Sequence, residues 1–279
     1  MQALPEGISP DLIVIPARYA SQRLPGKPLI PIAGQTLLAR VVAIARDGAR
    51  RVGNADIVVA TDDARILDHA RSLGCDAVMT DAAISSGSGR AWAVARDRTI
   101  APPIVVNLQG DAPFAQPAMI AALIAALRAS PCGVATPVVP LSWEALDALR
   151  QHKQASPFSG TTCTRRADGR ALWFSKAVIP SIRGEAQLRQ AGPLSPVLRH
   201  IGLYAYRFDT LGRFEAAAPT PYEILEGLEQ LRFLETDEDI LTVEAGAVPH
   251  SMSGIDTQDD VAMAERLIAE HGEPHLSWT

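Results

Sequence analysis

Cysteine is scarce in this sequence of 279 residues. Only three occur, at Cys75, Cys132 and Cys163. They are far apart and odd in number, which argues against both a disulfide framework and a zinc site. Such usage suits a reducing compartment, and we therefore expect a cytoplasmic protein.

The sequence also lacks long apolar runs and an excess of positive charge. No run approaches the ~20 apolar residues of a membrane span, and the opening MQALPEGISPD lacks the apolar stretch of a signal peptide. The formal net charge is −5 at pH 7, whereas binding to a nucleic-acid backbone requires a basic face. We therefore expect no membrane and no nucleic acid as a partner.

Alternating strand and helix patterns are what the sequence does contain. Through about residue 150, runs of branched apolar residues alternate with helical periodicity, which predicts an α/β fold with a doubly wound, mostly parallel sheet. Beyond that point, two strand-like runs joined by Asp168-Gly169, a strong hairpin signal, predict a smaller antiparallel lobe. We predict one domain over 1–279, with a core at about 12–150 and 209–271 and an inserted lobe at about 153–208.

The first predicted strand leads into a basic loop. The apolar run at 12–15 has the composition of a strand buried on both faces. It breaks at Pro16 into a loop that carries Arg18, Arg23 and Lys27. Open α/β sheets bind ligands at the carboxyl ends of their strands. The spacing therefore indicates a phosphate site, although a basic surface loop without a ligand has the same composition.

This loop matches neither of two common phosphate motifs. Pro28 follows Lys27 where a Walker P-loop has Ser or Thr, and Ser21 stands where that motif needs its first glycine. No G-x-G-x-x-G follows the strand, so the dinucleotide fingerprint is missing as well.

Carboxylates follow two further predicted strands. Asp111 comes after the apolar run at 104–108, where a carboxylate is well placed to hold Mg²⁺ on a nucleotide, because hard cations prefer oxygen ligands. It lies too far upstream of the predicted helix at 117–129 to be its immediate cap. Asp62 and Asp63 follow the strand at 56–60, and we interpret this pair as the cap of the next helix rather than as metal ligands.

The segment PARYASQRLPGKPL, residues 16–29, resembles the N-terminal signature of the sugar-activating cytidylyltransferases, and specifically the 3-deoxy-manno-octulosonate cytidylyltransferase (CMP-Kdo synthetase) family. Further blocks resemble this family in the same order, at 86–90, 109–113, 173–176, 199–204, 228–232 and 254–260. The resemblance implies a nucleotidyltransferase fold and a homodimer. It also implies CTP-dependent activation of a 2-keto-3-deoxy sugar acid, with Kdo first, to a CMP-sugar for lipopolysaccharide or capsule synthesis, with release of pyrophosphate.

The resemblance also implies roles for individual residues. For the nucleotide and its phosphates it points to Arg18, Ser21, Arg23, Lys27, Ser86, Gly87, Arg90 and Gln109. For the sugar acid it points to Lys176, His200, Tyr204, Glu229 and Gln230. Asp111 and Asp256 are implied as ligands of the cofactor Mg²⁺, and with Arg18 and Lys27 they form the expected catalytic set. From the residues alone other interpretations stay open: a structural histidine, a solvated helix face, and a helix cap at Asp256.

Four family features are altered in this sequence. Gly89 and Ala112 each stand where the family has Glu, and Lys176 stands where it has Arg, which keeps the charge but loses the bidentate fork. An Asn-x-x-x-Val-Lys element before the hairpin has no counterpart. Because the phosphate and metal blocks are intact, the pattern favours changed sugar handling. The alternatives are the same chemistry on a modified acid, an amino-Kdo or a nonulosonate, and a poorly active paralogue that binds nucleotide.

Overall fold

The computed structural model of the chain describes residues 9–20, 23–246 and 254–273. The strands are β1 (Asp11–Ala17), β2 (Pro31–Ile32), β3 (Gln35–Thr36), β4 (Ala55–Thr61), β5 (Asp76–Met79), β6 (Ile104–Leu108), β7 (Val134–Ser142), β8 (Thr161–Arg165), β9 (Ala171–Ser175), β10 (Leu194–His200), β11 (Leu203–Arg207) and β12 (Ile240–Glu244). The helices are α1 (Leu37–Val52), α2 (Ala64–Ser72), α3 (Gly87–Arg96), α4 (Pro117–Arg128), α5 (Trp143–Ala155), α6 (Glu185–Ala191), α7 (Phe208–Ala216), α8 (Pro221–Glu226), α9 (Gln230–Glu235) and α10 (Gln258–His271).

Ten of these strands form one mixed sheet in the order β5-β4-β1-β6-β11-β7-β10-β8-β9, with β12 beside β7. β5, β4, β1 and β6 pair in parallel, and β12 pairs in parallel with β7. β11 is antiparallel to both β6 and β7, so these two strands point the same way. The predicted α/β fold with a mostly parallel core is therefore confirmed.

The first strand is buried on both faces, as its composition predicts. Ile13 and Ile15 belong to a cluster that includes residues of α1, α4 and α10. Leu12 and Val14 point the other way, into a cluster that includes residues of α3, α7 and α9. Because side chains alternate along a strand, one apolar run supplies both cores. The carboxyl end of β1 lies on the side of the sheet where the parallel strands end, which is where ligands bind in open α/β folds.

The antiparallel strands continue the same sheet. β8 and β9 form the predicted hairpin, and its turn contains Gly169 at φ 88°, a conformation that favours glycine. β10 and β8 extend from β7 toward the sheet edge, whereas β11 lies in the middle of the sheet. Because the strands of 153–208 and those of the core share one sheet, the division into a core and an inserted lobe stays a prediction.

Three patterns in the sequence predict local structure that the fold does not have. The alternation over 200–206 predicts one half-exposed strand, but β10 ends at His200 and β11 begins at Leu203, with Gly202 between them. The polar composition of 181–196 predicts a loop, but this stretch contains α6 and the start of β10. The apolar periodicity over 221–234 predicts one helix, but Gly227 at φ 62° ends α8 and a second helix follows. In the first and third cases a glycine allows a turn that periodicity does not register.

Within the described ranges, no helix combines the length and the apolar character needed to cross a bilayer.

Candidate active site

A polar cavity of about 250 Å³ lies at the carboxyl ends of β1 and β6, beside the first turn of α3. Its lining includes Arg18, Lys27, Ser86, Gly87, Arg90, Gln109 and Asp111. Gly110 allows the two strand ends to meet, because a Cβ at this position would lie 2.3 Å from the carbonyl oxygen of Pro16. We call the cavity, together with Arg18, Lys27, Arg90, Asp111 and Asp256, the phosphate end of the site.

Lys27 connects two carboxylates that are far apart in sequence. Its Nζ donates to Asp111 Oδ2 at 2.7 Å and to Asp256 Oδ1 at 3.1 Å. Burial disfavours the charged ammonium, but the two carboxylates outweigh it and raise the pKa of Lys27. Arg23 pairs with the other oxygen of Asp256 at 2.9 Å. The loop before α10 is tied to the end of β6, since the backbone N–H of Ile255 donates to Asp111 O at 2.9 Å.

These two carboxylates suit one hard cation. Both carboxylates face the position of one positive charge, the ammonium of Lys27. Among the described residues, no group of three or more His, Cys, Asp or Glu side chains could hold a metal. Mg²⁺ does not need such a group, because it binds through one or two carboxylates together with substrate phosphates and water. Asp111 and Asp256 therefore fit Mg²⁺ better than they fit a fully protein-bound metal.

Arg18 and Arg90 are held by a carboxylate that the sequence analysis assigned to a cap. Asp62 Oδ2 lies 2.7 Å from Arg90 Nη2 and 3.6 Å from Arg18 Nε. Asp63 alone caps α2, accepting from the backbone N–H of Arg65 at 2.9 Å. Asp62 follows a parallel strand, as Asp111 does, and this shared position was the signal that could have found it.

The start of α3 also faces the phosphate end. The serines and glycines of residues 80–89 predict a loop that ends at Gly89, but the helix already begins at Gly87 with Ser86 as its N-cap. Ser86 Oγ accepts from the backbone N–H of Gly89 at 2.9 Å. Ser86 and Gly87 line the cavity, so the positive end of the helix dipole lies where an anion would bind.

The predicted sugar-binding residues lie on β10 and β11, directly after β9, and at the start of α9. We call Lys176, His200, Tyr204, Glu229 and Gln230 the sugar end of the site. The rings of His200 and Tyr204 are 5.4 Å apart, and His200 Nε2 lies 2.8 Å from Thr136 Oγ1. Burial, with a smaller effect of the Lys176 charge, lowers the pKa of His200 to about 3. His200 is therefore neutral at physiological pH.

Partial burial also affects the ionisable groups of the other members of the sugar end, although Glu229 as a whole residue is exposed. Burial lowers the pKa of Lys176 and raises that of Glu229. Burial, helped by the negative charge of Glu229, also raises the pKa of Tyr204. Ser88 Oγ donates to Glu229 Oε2 at 2.8 Å. Gln230 is 2% exposed, and its Nε2 has no hydrogen-bond partner among the described residues, which leaves a buried donor free for a ligand.

Glu226 is a further residue that the sequence analysis did not single out. Its carboxylate accepts from Ser175 Oγ at 2.7 Å and from the backbone N–H of Lys176 at 2.8 Å. It fixes the backbone from which Lys176 extends. Nothing in the sequence pattern distinguishes this glutamate from others on a solvated helix.

Gln109 connects the phosphate end with a second cavity. It lines both the polar cavity and an apolar cavity of about 380 Å³. The apolar cavity is also lined by Ala112 and His200. Ser21, predicted to bind nucleotide, lies outside the described residues. The structure thus brings the other predicted site residues to two adjoining regions, and their individual roles stay predictions.

Comparison with known proteins gives consistent results. Residues 12–240 match the sequence model of a family described as cytidylyltransferase. A 3-deoxy-manno-octulosonate cytidylyltransferase of Maricaulis maris is 42% identical over 265 residues, which cover 94% of this chain and 98% of that protein. One of Methylococcus capsulatus is 40% identical over 264 residues, covering 92% and 96%. The solved structure of CMP:2-keto-3-deoxy-manno-octonic acid synthetase complexed with CTP is similar at a TM-score of 0.79 and 32% identity, covering 94% of this chain and 99% of that one.

Proposed function

Since the chain belongs to the cytidylyltransferase family, we propose that it transfers CMP from CTP to the sugar acid Kdo and releases pyrophosphate. The observation that carries this proposal is the joining of Asp111 and Asp256 by Lys27 at 2.7 and 3.1 Å. This charged cluster adjoins the polar cavity. Gln109 lines both this cavity and the apolar cavity that His200 of the sugar end also lines.

The reaction joins the anomeric oxygen of the sugar to the α-phosphorus of CTP. That oxygen forms a new bond to the α-phosphorus while the bond from this phosphorus to the bridging oxygen of the β-phosphate breaks, and the proton of the anomeric hydroxyl passes to solvent or a base. Such transfer depends on positioning and charge neutralisation. Lys27 remains protonated because its pKa is raised, so with Arg18 it stabilises negative charge on the phosphates.

Asp111 and Asp256 would hold Mg²⁺ on the nucleotide. When bound, Mg²⁺ would neutralise charge at the transferring phosphate and lower the pKa of a coordinated hydroxyl. The same two carboxylates hold Lys27 in the free enzyme. We infer that Lys27 turns from the carboxylates toward the phosphates as the metal–nucleotide complex enters.

The sugar end would recognise Kdo through groups that are already desolvated. Lys176 would attract the carboxylate of the sugar acid, and neutral His200 would exchange hydrogen bonds with its hydroxyls. The unpartnered Nε2 of Gln230 would donate to a sugar oxygen. A modified acid is the second candidate, because Ala112 opens onto an apolar cavity where the family pattern has a carboxylate.

We further propose a cytoplasmic homodimer whose product serves lipopolysaccharide or capsule synthesis. Family resemblance alone supports these features.

The proposed reaction is tested by measuring pyrophosphate release from CTP with Kdo, and CMP-Kdo formation by NMR. We expect both products in equal amounts, dependent on added Mg²⁺ and absent when ATP replaces CTP. Pyrophosphate release without a CMP-sugar, or no release with any keto sugar acid, would contradict the proposal.

A further inference from the structure

The first turn of α3 lies between two cavities. On one side Ser86 and Gly87 line the phosphate end. On the other side Ser86 and Gly89 line an open cavity of about 480 Å³, whose far wall includes Glu215 of α7. The proposed function gives Glu215 no role, although this carboxylate stands directly behind the turn that faces the nucleotide.

Gly89 is a glycine inside a helix, which costs about 1 kcal/mol relative to alanine. Glycine stands here because the surrounding atoms leave no room for a side chain. A Cβ at position 89 would lie 2.8 Å from Ser86 Oγ, 2.9 Å from Ile84 Cγ2 and 3.1 Å from Glu215 Oε2. The carboxylate of Glu215 therefore occupies the direction in which a side chain at position 89 would extend, and position 89 is where the family pattern has Glu.

Glu215 also lies near a serine that bonds to the sugar end. Ser88 is 1% exposed, and its Oγ donates to Glu229 Oε2 at 2.8 Å. Ser88 directly precedes Gly89, the position against which the Glu215 carboxylate lies. A shift of Glu215 would therefore move the turn that carries the hydrogen-bond donor of Glu229.

We propose that Glu215 is a positioning residue for the sugar end. From α7 it supports the first turn of α3 and fixes Ser88, which in turn orients Glu229 toward the sugar acid. This inference rests on the proposed function, because Glu229 is assigned to the sugar there.

The test is a cycle of substitutions at positions 89 and 215. We expect Glu215→Ala to raise the KM for Kdo about tenfold and to leave the Kd for CTP within about twofold. Glu215→Gln keeps the shape and a hydrogen-bonding oxygen, so its KM for Kdo should stay within about threefold of the parent. Asp209→Ala, which removes an exposed carboxylate of the same helix, is the matched control and should change neither constant.

Substitutions of Gly89 in the parent and in the Glu215→Ala background distinguish a positioning role of Glu215 from simple crowding at position 89. Gly89→Glu should raise the KM for Kdo strongly in the parent, because the new carboxylate meets Glu215, and much less in the Glu215→Ala background. Gly89→Ala in both backgrounds measures the crowding by Ser86 and Ile84 alone. The inference is overturned if Glu215→Ala changes the KM for Kdo by less than about twofold, or if Gly89→Glu is equally harmful in both backgrounds.

Melting temperatures of the same variants need no substrate. If the parent forms no CMP-Kdo, the proposed function fails. The melting temperatures of the single and double variants then still show whether positions 89 and 215 are in contact, which the inference requires. Non-additive changes for Gly89→Glu with Glu215→Ala support it, and additive changes overturn it.

Discussion

At the phosphate end of the site charged side chains pair with one another, whereas at the sugar end Lys176 and Glu229 form no ion pairs among the described residues. Lys27 lies against Asp111 and Asp256, and Arg90 against Asp62. The carboxylate of Glu229 accepts from the neutral hydroxyl of Ser88, and Gln230 Nε2 has no hydrogen-bond partner among the described residues. The two ends therefore offer a ligand different kinds of groups.

The difference suggests that the two ends of the site have different functions. Ion pairs at the phosphate end hold the cations in position until a charged ligand replaces the carboxylates, so this end supplies binding strength and catalysis. The buried polar groups of the sugar end, His200 and Gln230, have already lost water. They penalise any ligand that leaves them unpaired, so this end supplies specificity. It is also the end at which the family pattern is altered.

The largest effect is expected for Lys27→Ala. It removes the charge shared by the phosphates and both carboxylates, and no other group of the loop occupies its place. We expect kcat to fall by about a thousandfold or more, equivalent to ~4 kcal/mol, with little change in melting temperature. Arg50→Ala, which breaks an exposed ion pair with Asp47 on α1, is the matched control. A Lys27→Ala enzyme within tenfold of the parent would remove the catalytic role from the phosphate end.

Asp111→Asn is expected to have the next largest effect. The amide keeps the shape but loses the charge that a divalent cation needs, so kcat should fall by about a hundredfold or more. The melting temperature should hardly change, because the pair with Lys27 is partly exposed. Mg²⁺ titration of the rate should show a weakened metal dependence. A rate within about threefold of the parent would exclude Asp111 from the metal site.

Gln230→Leu tests the sugar end through opposite changes in stability and binding. It removes a buried donor without a partner, so the melting temperature should rise or stay equal. The KM for Kdo should rise about tenfold, ~1.4 kcal/mol, with the Kd for CTP unchanged. Kinetics and thermal melting of one preparation give both values. A lower melting temperature with an unchanged KM would mean that Gln230 is structural.

Lys176→Arg is expected to have a smaller effect. Arginine restores the bidentate fork toward a carboxylate, so the KM for Kdo should fall about threefold if the backbone held by Glu226 keeps its position. Lys176→Met, which removes the charge, is the companion variant and should raise this KM. An arginine variant with weaker Kdo binding would indicate that the sugar end is shaped for a different acid.

The smallest expected effect concerns pH and stability. Burial lowers the pKa of His200 from 6.5 to about 3, so the unfolded chain gains a proton there at a pH where the folded chain does not. Stability from this group is present above about pH 6.5 and is lost as pH falls toward 3. Between pH 7 and pH 5 the parent should lose about 4 °C more in melting temperature than His200→Gln. Equal losses would mean that His200 is not desolvated.

The sequence allowed the loops that follow the strands to be placed near one another. The apolar run before Arg18 and the run before Asp111 each place a polar loop at the same edge of a parallel sheet, so their meeting could be expected. The expectation that Asp256 lies near Asp111 depended on family resemblance, because no periodicity relates residues so distant in sequence. Asp62 could have been identified from the same position after a strand, but Glu215 and Glu226 could not, since their partners lie on other elements and single glutamates carry no pattern.

Separate binding measurements on Lys27→Met and Lys176→Met test the division of the site most directly. Calorimetry gives the Kd for CTP, and steady-state rates give the KM for Kdo. We predict that Lys27→Met weakens CTP binding at least tenfold, while Lys176→Met leaves it within about twofold and raises the KM for Kdo about tenfold. If Lys176→Met weakens CTP as much as Lys27→Met does, the two ends are not distinct and the account is wrong.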